Sequence, residues 1–229
     1  MTTMIDLQDV WRAYGKRSAV AGVSLRVDAG SVVAIAGPNG SGKTTLTRIA
    51  GGFAAPDRGA ATVAGMSALA YRERHGVGFV PEETSRGFAR ARVRDVLAFR
   101  LRNGDAPPSA VAHLGIDRLL DSRTESLSKG QWRLVLMACA LAGASRVLVL
   151  DEPDAGLDPG ALDRLATAIA AAAAAGAAIL LASHHLELIA RVADQILFMS
   201  GGRIAGSVGH VGNTSELRQF YITHVGDMA

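Results

Sequence analysis

The chain has 229 residues, 49% hydrophobic and 20% charged, with a formal net charge of +3. That length suits one sizeable core, or a core with small subdomains, and the balance excludes extensive disorder. The single Cys139 excludes an internal disulfide and a cysteine-built metal site, and its apolar neighbours suit a small core residue.

The mild basicity fits a membrane surface or nucleic acid and does not choose between them. Residues 1–6 carry neither a basic nor an apolar leader region, so no secretory signal is expected. Residues 5–10 and 19–27 read as short strands, with Tyr14-Gly15-Lys16-Arg17 as the turn between them. Tyr14 or Trp11 supplies an aromatic face on which a nucleobase can stack.

Residues 31–36 form an apolar run rich in β-branched side chains, read as a buried strand, and 44–49 read as the start of a helix. Between them stands Gly37-Pro38-Asn39-Gly40-Ser41-Gly42-Lys43-Thr44-Thr45, which satisfies the phosphate-loop pattern G-x-x-x-x-G-K-[ST]. Glycines let the backbone turn its N–H groups towards a phosphate, and the helix that follows adds unpaired N–H groups and a positive dipole end. Lys43 suits the β- and γ-phosphates, the Thr44 hydroxyl suits Mg²⁺ and Thr45 the α-phosphate.

Gly51-Gly52 and residues 55–59 punctuate a loop, after which 60–64 and 76–80 read as strands, the second ended by Pro81-Glu82-Glu83. Residues 84–126 carry Arg86, Arg90, Arg92, Arg94, Arg100 and Arg102, a Gly- and Pro-rich break at 104–108, and helix-like apolar spacing. They read as a small basic helical insertion, either a solvated face or a surface for a partner or lipid headgroups. Ser128 is placed to cap a helix over 134–141. Residues 147–152 are a buried strand that delivers Asp151 and Glu152 at its carboxyl end, the edge where open parallel sheets bind ligands. Asp151 suits Mg²⁺, and Glu152 suits a base that activates water.

The apolar run 165–182 reaches the roughly 18 residues at which a membrane helix is considered. It is mostly alanine and is divided by Gly176, so it reads as a helix and a strand (177–182) of the core. His184 follows that strand, placed to donate to a γ-phosphate; His185 receives no role. Residues 193–199 lead into a final strand, Gly201-Gly202 makes a turn, and 203–229 are too short for another domain.

The ordered set of phosphate loop, Val80-Pro81-Glu82, Leu127-Ser128-Lys129-Gly130-Gln131, Leu150-Asp151-Glu152-Pro153, Gly156-Leu157-Asp158 and Ser183-His184 resembles the nucleotide-binding subunit of ATP-binding cassette (ABC) transporters. The resemblance covers nearly the whole chain, and the Leu-Ser-x-Gly-Gln signature is that family's own. It implies an α/β fold: a P-loop NTPase core with a mainly parallel sheet, an N-terminal antiparallel β subdomain and a small α-helical signature subdomain. One ATP-binding domain then spans 1–229, with the helical part at about 84–135.

By the same resemblance Tyr14 stacks on adenine, and residues Gly37, Pro38, Asn39, Gly40, Ser41, Gly42, Lys43, Thr44 and Thr45 hold ATP. Glu152 is the catalytic carboxylate, assisted by His184, Lys43 and Glu82, while Thr44, Asp151 and Glu82 serve Mg²⁺. Leu127, Ser128, Lys129, Gly130 and Gln131 form the signature, whose Ser128 and Gly130 contact the γ-phosphate held by a second subunit. Ala155, Gly156, Leu157 and Asp158 form the D-loop. Two ATPs are then sandwiched in a head-to-tail homodimer or heterodimer that drives a separate transmembrane permease from the cytoplasmic face of the membrane. No nucleic-acid partner is expected.

Three departures stand out. Glu82 replaces the Gln usual in the family, and a carboxylate donates no hydrogen bond unless protonated; relatives with Pro-Glu here lead us to expect activity to survive. Ala155 replaces a common Ser, removing one cross-interface hydrogen bond. The short stretch between Glu82 and Leu127 implies a small helical subdomain. The Pro-Glu pair, the compact size and the absence of a C-terminal regulatory domain point to export. The competing reading is a soluble ABC-type ATPase that serves an assembly process such as iron–sulfur cluster biogenesis.

Overall fold

The computed structural model describes residues 2–83, 90–101, 109–142 and 146–226. Arg86, Arg102 and the break at 104–108 lie outside them. Two long strands, β1 (Thr3–Tyr14) and β2 (Arg17–Asp28), pair antiparallel. With β4 (Arg58–Val63) and β5 (Met66–Ser67) they form a four-stranded sheet in the order β2-β1-β4-β5, antiparallel throughout. β4 begins earlier than the turn-like Pro56-Asp57-Arg58-Gly59 suggests. A Cβ on Gly59 would stand 2.1 Å from the Asp9 carbonyl oxygen, so this glycine permits the close approach of β4 to an irregular stretch of β1.

The second sheet is built from β3 (Val32–Ala36), β6 (Gly78–Val80), β7 (Val147–Asp151), β8 (Ala178–Ser183), β9 (Gln195–Ser200) and β10 (Arg203–Gly209). Its order is β10-β9-β3-β8-β7-β6, and only the β9–β10 pair is antiparallel. The fold is therefore α/β with a mainly parallel sheet beside an antiparallel one, as expected. Its central strands are apolar on both sides because both faces are covered. Val32 and Ala34 point to the cluster that contains α5 (Lys129–Ala142) and α6 (Pro159–Ala174); Val33 and Ile35 point to the cluster that contains α1 (Lys43–Ala50) and the antiparallel sheet.

The strand at 193–199 is not the final element. β9 turns at Gly201-Gly202 into β10, and helix α8 (Thr214–Val225), capped by Asn213, follows and buries Leu217 and Tyr221. Helices α2 (Ala68–His75) and α7 (Leu186–Val192) also escape the apolar-run reading. Between the sheets' elements lie α3 (Val93–Arg100), the short α4 (Ser109–Ala112) and two 3₁₀ turns, Asp117–Leu119 and Thr124–Ser126, which lead into α5. The 165–182 run is divided as expected, between α6 and β8. Among the described residues no helix is long and apolar enough to cross a membrane.

Candidate functional site

The polar residues singled out in the sequence converge at the carboxyl ends of β3, β6, β7 and β8. Residues 37–42 leave β3, Pro81 and Glu82 leave β6, Asp151 and Glu152 end β7, and Ser183 and His184 end β8. A cleft of about 310 Å³ opens there, lined among the described residues by Tyr14, Asn39, Gly40, Gly42, Lys43, Thr44, Thr45, Glu82 and Glu152, with Arg17 and Ala19 beside them. Trp11 is not among them. Its ring lies under the Arg58 and Arg203 guanidinium groups, and its Nε1 donates to Asp9, so Tyr14 is the aromatic at the cleft.

The loop after β3 is held where only glycine fits. A Cβ on Gly42 would stand 2.1 Å from the Ala19 carbonyl oxygen, and one on Gly37 would stand 2.3 Å from that of Met199. Gly42, at φ 111, is the N-cap of α1, and no side chain caps that helix. Its first N–H groups therefore lack partners within the helix and face the loop, an arrangement that suits an anion.

Lys43 is buried, and its Nζ donates to the carbonyls of Gly37 at 2.7 Å and Pro38 at 3.3 Å. The same ammonium lies 3.3 Å from Glu152 Oε1. The other oxygen of Glu152 is 2.6 Å from His184 Nδ1 and accepts from His184 N at 3.2 Å. An ionised carboxylate only accepts, so the His184 proton sits on Nδ1 in this pairing. Glu152 itself adopts φ 49, a left-handed conformation uncommon outside glycine, and its N–H donates to Ala182 O at 2.8 Å.

Asp151 is 1% exposed, and neither carboxylate oxygen has a hydrogen-bond partner among the described residues. Burial pushes its pKa up to about 6; Glu82 and Glu152 push the same way, against Thr44 and Lys43. A buried carboxylate left so bare fits a bound cation, which would supply the missing charge. Thr44 Oγ1 donates to Glu82 Oε2 at 3.1 Å, bringing a hydroxyl and a second carboxylate into the same region. These oxygen donors suit Mg²⁺.

The signature residues 127–131 do not line this cleft. Ser128 Oγ accepts from Gln131 N at 3.1 Å while Gln131 Oε1 accepts from Ser128 N at 2.9 Å, a reciprocal cap at the start of α5. Gly130 packs on the D-loop: a Cβ there would stand 2.9 Å from Gly156 O. Within that loop Ala155 N donates to Glu152 O at 3.3 Å, Leu157 N to Asp154 O at 3.1 Å, and Asp158 caps α6 by accepting from Ala161 N at 2.7 Å. Signature and D-loop thus form one edge of the molecule.

Three residues at the site have no place in the motif reading. Arg17 lines the cleft and donates to Gly40 O at 2.9 Å, tying the β1–β2 turn to the phosphate loop. Arg133, buried on α5, donates to Pro81 O at 2.7 Å and Glu82 O at 2.9 Å. Burial pulls its pKa down, and the carboxylates of Asp154, Glu152, Asp151 and Glu82 oppose this. A cation inside the apolar pattern of α5 was the available signal. The third is Asp154, buried beside Ser183 and His185.

Residues 20–155 match the family described as ABC transporter. The Nod factor export ATP-binding protein I of Rhizobium etli is 32% identical over 210 residues, covering 88% of this chain and 66% of that protein. The chain spans between 62% and 66% of the length of the Nod factor export relatives it matches. The zinc import ATP-binding protein ZnuC of Halorhodospira halophila is 35% identical over 230 residues, covering 97% of this chain and 85% of that protein. A solved ATP-binding subunit of an ABC transporter superposes with a TM-score of 0.81 at 27% identity, over 95% of this chain and 93% of the other.

Proposed function

The chain belongs to the ABC transporter family, and on that premise we propose that it is an ATP-hydrolysing subunit which drives a separate membrane permease by closing head-to-tail on a second ATP-binding subunit. The observation that carries the reading is the buried meeting of Lys43, Glu152 and the unpartnered Asp151 beside the uncapped start of α1.

Tyr14 stacks on the adenine, and residues 37–45 cradle the triphosphate. Lys43 exchanges Glu152 and the loop carbonyls for the β- and γ-phosphates. Thr44, Asp151 and Glu82 would hold Mg²⁺, which neutralises phosphate charge when bound. Glu152 takes a proton from the attacking water, the water oxygen bonds to the γ-phosphorus, and ADP leaves. His184, held beside Glu152, contacts the γ-phosphate. The signature, with Ser128 and Gly130 at the α5 N-terminus, does not line its own cleft and completes the site of the partner subunit. Closure therefore depends on ATP, and hydrolysis removes the phosphate that joins the halves.

We assign the signature to a helical part at about 84–135, and the working location to the cytoplasmic face of the membrane. One relative is named for export and another for import, so direction and cargo are left to the permease.

The test is Glu152→Gln in the full chain. It should bind ATP, lose turnover and accumulate an ATP-dependent dimer in gel filtration; a monomer that still hydrolyses ATP would sink the assignment. Co-purification with a polytopic membrane protein from detergent extracts separates transport from soluble assembly, and a soluble partner alone would favour the latter.

A further inference from the structure

A second histidine–carboxylate pair runs beside His184 and Glu152, and the reaction as described does not use it. The Nδ1 of His185 lies 2.9 Å from Asp154 Oδ2. The Asp154 side chain is fully buried, and its two oxygens accept from Ser183 Oγ at 2.9 and 3.1 Å. Ser183 is engaged twice, because its Oγ also accepts from His185 N at 3.0 Å. Asp154, Ser183 and His185 therefore close a ring that ties the turn after β7 to the end of β8.

Burial raises the Asp154 pKa, and His185 and Ser183 work against that rise. An ionised Asp154 only accepts, so the proton of His185 stays on Nδ1 and the ring is held in one orientation. That orientation matters to the neighbour. The His184 and His185 rings meet edge to face, with centroids 4.2 Å apart and planes at 71°. The His184 side chain is 46% exposed, so solvent alone does not confine it, and the His185 ring forms one side of its seat. Glu152, two residues before Asp154, keeps its left-handed backbone, which a residue other than glycine holds only when its surroundings over-determine it.

We propose that Asp154 and His185 are positioning residues for hydrolysis: their pair, clamped by Ser183, sets where the His184 imidazole meets the Glu152 carboxylate. Neither lines the cleft. This rests on the ATPase reading above, and it extends the working set of the site from Glu152 and His184 to include Asp154 and His185, at the carboxyl ends of β7 and β8.

The experiment compares the full chain with His185→Ala, Asp154→Asn and the double variant, each labelled with ¹⁵N-histidine. Three quantities are read: kcat for ATP, the Kd of a fluorescent ATP analogue, and the His184 imidazole nitrogen signals without nucleotide. Each single variant should lower kcat by about tenfold or more while the Kd stays within about twofold, since orientation and not binding is lost. The double variant should be no slower than His185→Ala. The His184 signals should move from a fixed Nδ1–H tautomer towards an averaged one. Losses that multiply in the double variant, a His185→Ala kcat within about twofold of the parent, or unchanged His184 signals would each overturn the proposal. A parent chain without ATP turnover would instead defeat the ATPase reading, and the nitrogen signals would still judge the pairing.

Discussion

Lys43 Nζ and Glu152 Oε1 stand 3.3 Å apart with both side chains buried, so the ammonium and the carboxylate compensate one another's charge. A triphosphate offers Lys43 a stronger anionic partner, and its departure frees one oxygen of Glu152. On the proposed mechanism that oxygen is then available to take a proton from the attacking water.

Removing the cation should expose the strength of that pairing. Lys43→Met leaves a buried carboxylate without its ammonium, at a cost of about 3 kcal/mol. At about 2–4 °C per kcal/mol, the nucleotide-free melting temperature should fall by roughly 6–12 °C. Adding Glu152→Gln should recover most of the loss without restoring ATP affinity. Scanning calorimetry and nucleotide titration check both halves; a single variant that melts with the parent would show that the pair contributes little.

Asp151 should behave in the opposite sense. Its folded pKa of about 6 lies above the ordinary 3.8, so the folded chain holds this proton more tightly than the unfolded chain. The stability linked to it is complete below the unfolded value and is lost as pH rises through the folded one. Asp151→Asn removes the buried charge and should stabilise the nucleotide-free chain at pH 8 by up to about 3 kcal/mol, with little difference near pH 4. The same variant should lose Mg²⁺-dependent turnover. Melting curves across that pH range provide the check; a destabilised Asp151→Asn at pH 8 would contradict the burial argument.

Glu82 accepts from the Thr44 hydroxyl, and a glutamine can do the same through its amide oxygen. Glu82→Gln should therefore keep basal ATP turnover within about threefold of the parent, a steady-state rate comparison. Loss of basal turnover would give the carboxylate charge a direct catalytic role.

The sequence displays the phosphate loop and the acidic end of β7 because a triphosphate demands specific residue types at fixed spacing, and five-residue apolar strands such as β3 announce themselves. Other elements are less legible. β10 contains Gly206 and Gly209 and alternates weakly, while α2 buries only Ala68 and Tyr71 and so lacks an apolar stripe. The pairing of Asp154 with His185, the reach of Arg17 to Gly40 and the clasp of Arg133 on Pro81 and Glu82 depend on which strand ends and helices become neighbours. No local spacing encodes that.

Arg133 yields a further expectation. Arg133→Met keeps the apolar stem but leaves the carbonyls of Pro81 and Glu82 without their donors, which costs about 2–3 kcal/mol. It also uncouples α5, and with it Ser128, from Glu82. The melting temperature should fall, and ATP-dependent dimerisation should weaken more than nucleotide binding to the isolated subunit. Arg133→Lys should recover only part of either loss, because one ammonium replaces the planar fork unevenly. Equal dimerisation in Arg133→Met and the parent would remove Arg133 from that coupling.

The crowded glycines of the phosphate loop have a last consequence. Gly42 is pressed against the Ala19 carbonyl of β2 and Gly37 against that of Met199 in β9, while Gly202 N donates to Ser41 O at 2.9 Å and Ala21 N to Gly202 O at 2.8 Å. The cradle is stitched into the seam between the two sheets, so its shape is a property of their mutual docking. A nucleotide bound in the cradle should therefore also stabilise that seam. Amide exchange at Ala21 and Gly202 should slow on ATP addition, reporting two sheets that unfold together only when loaded.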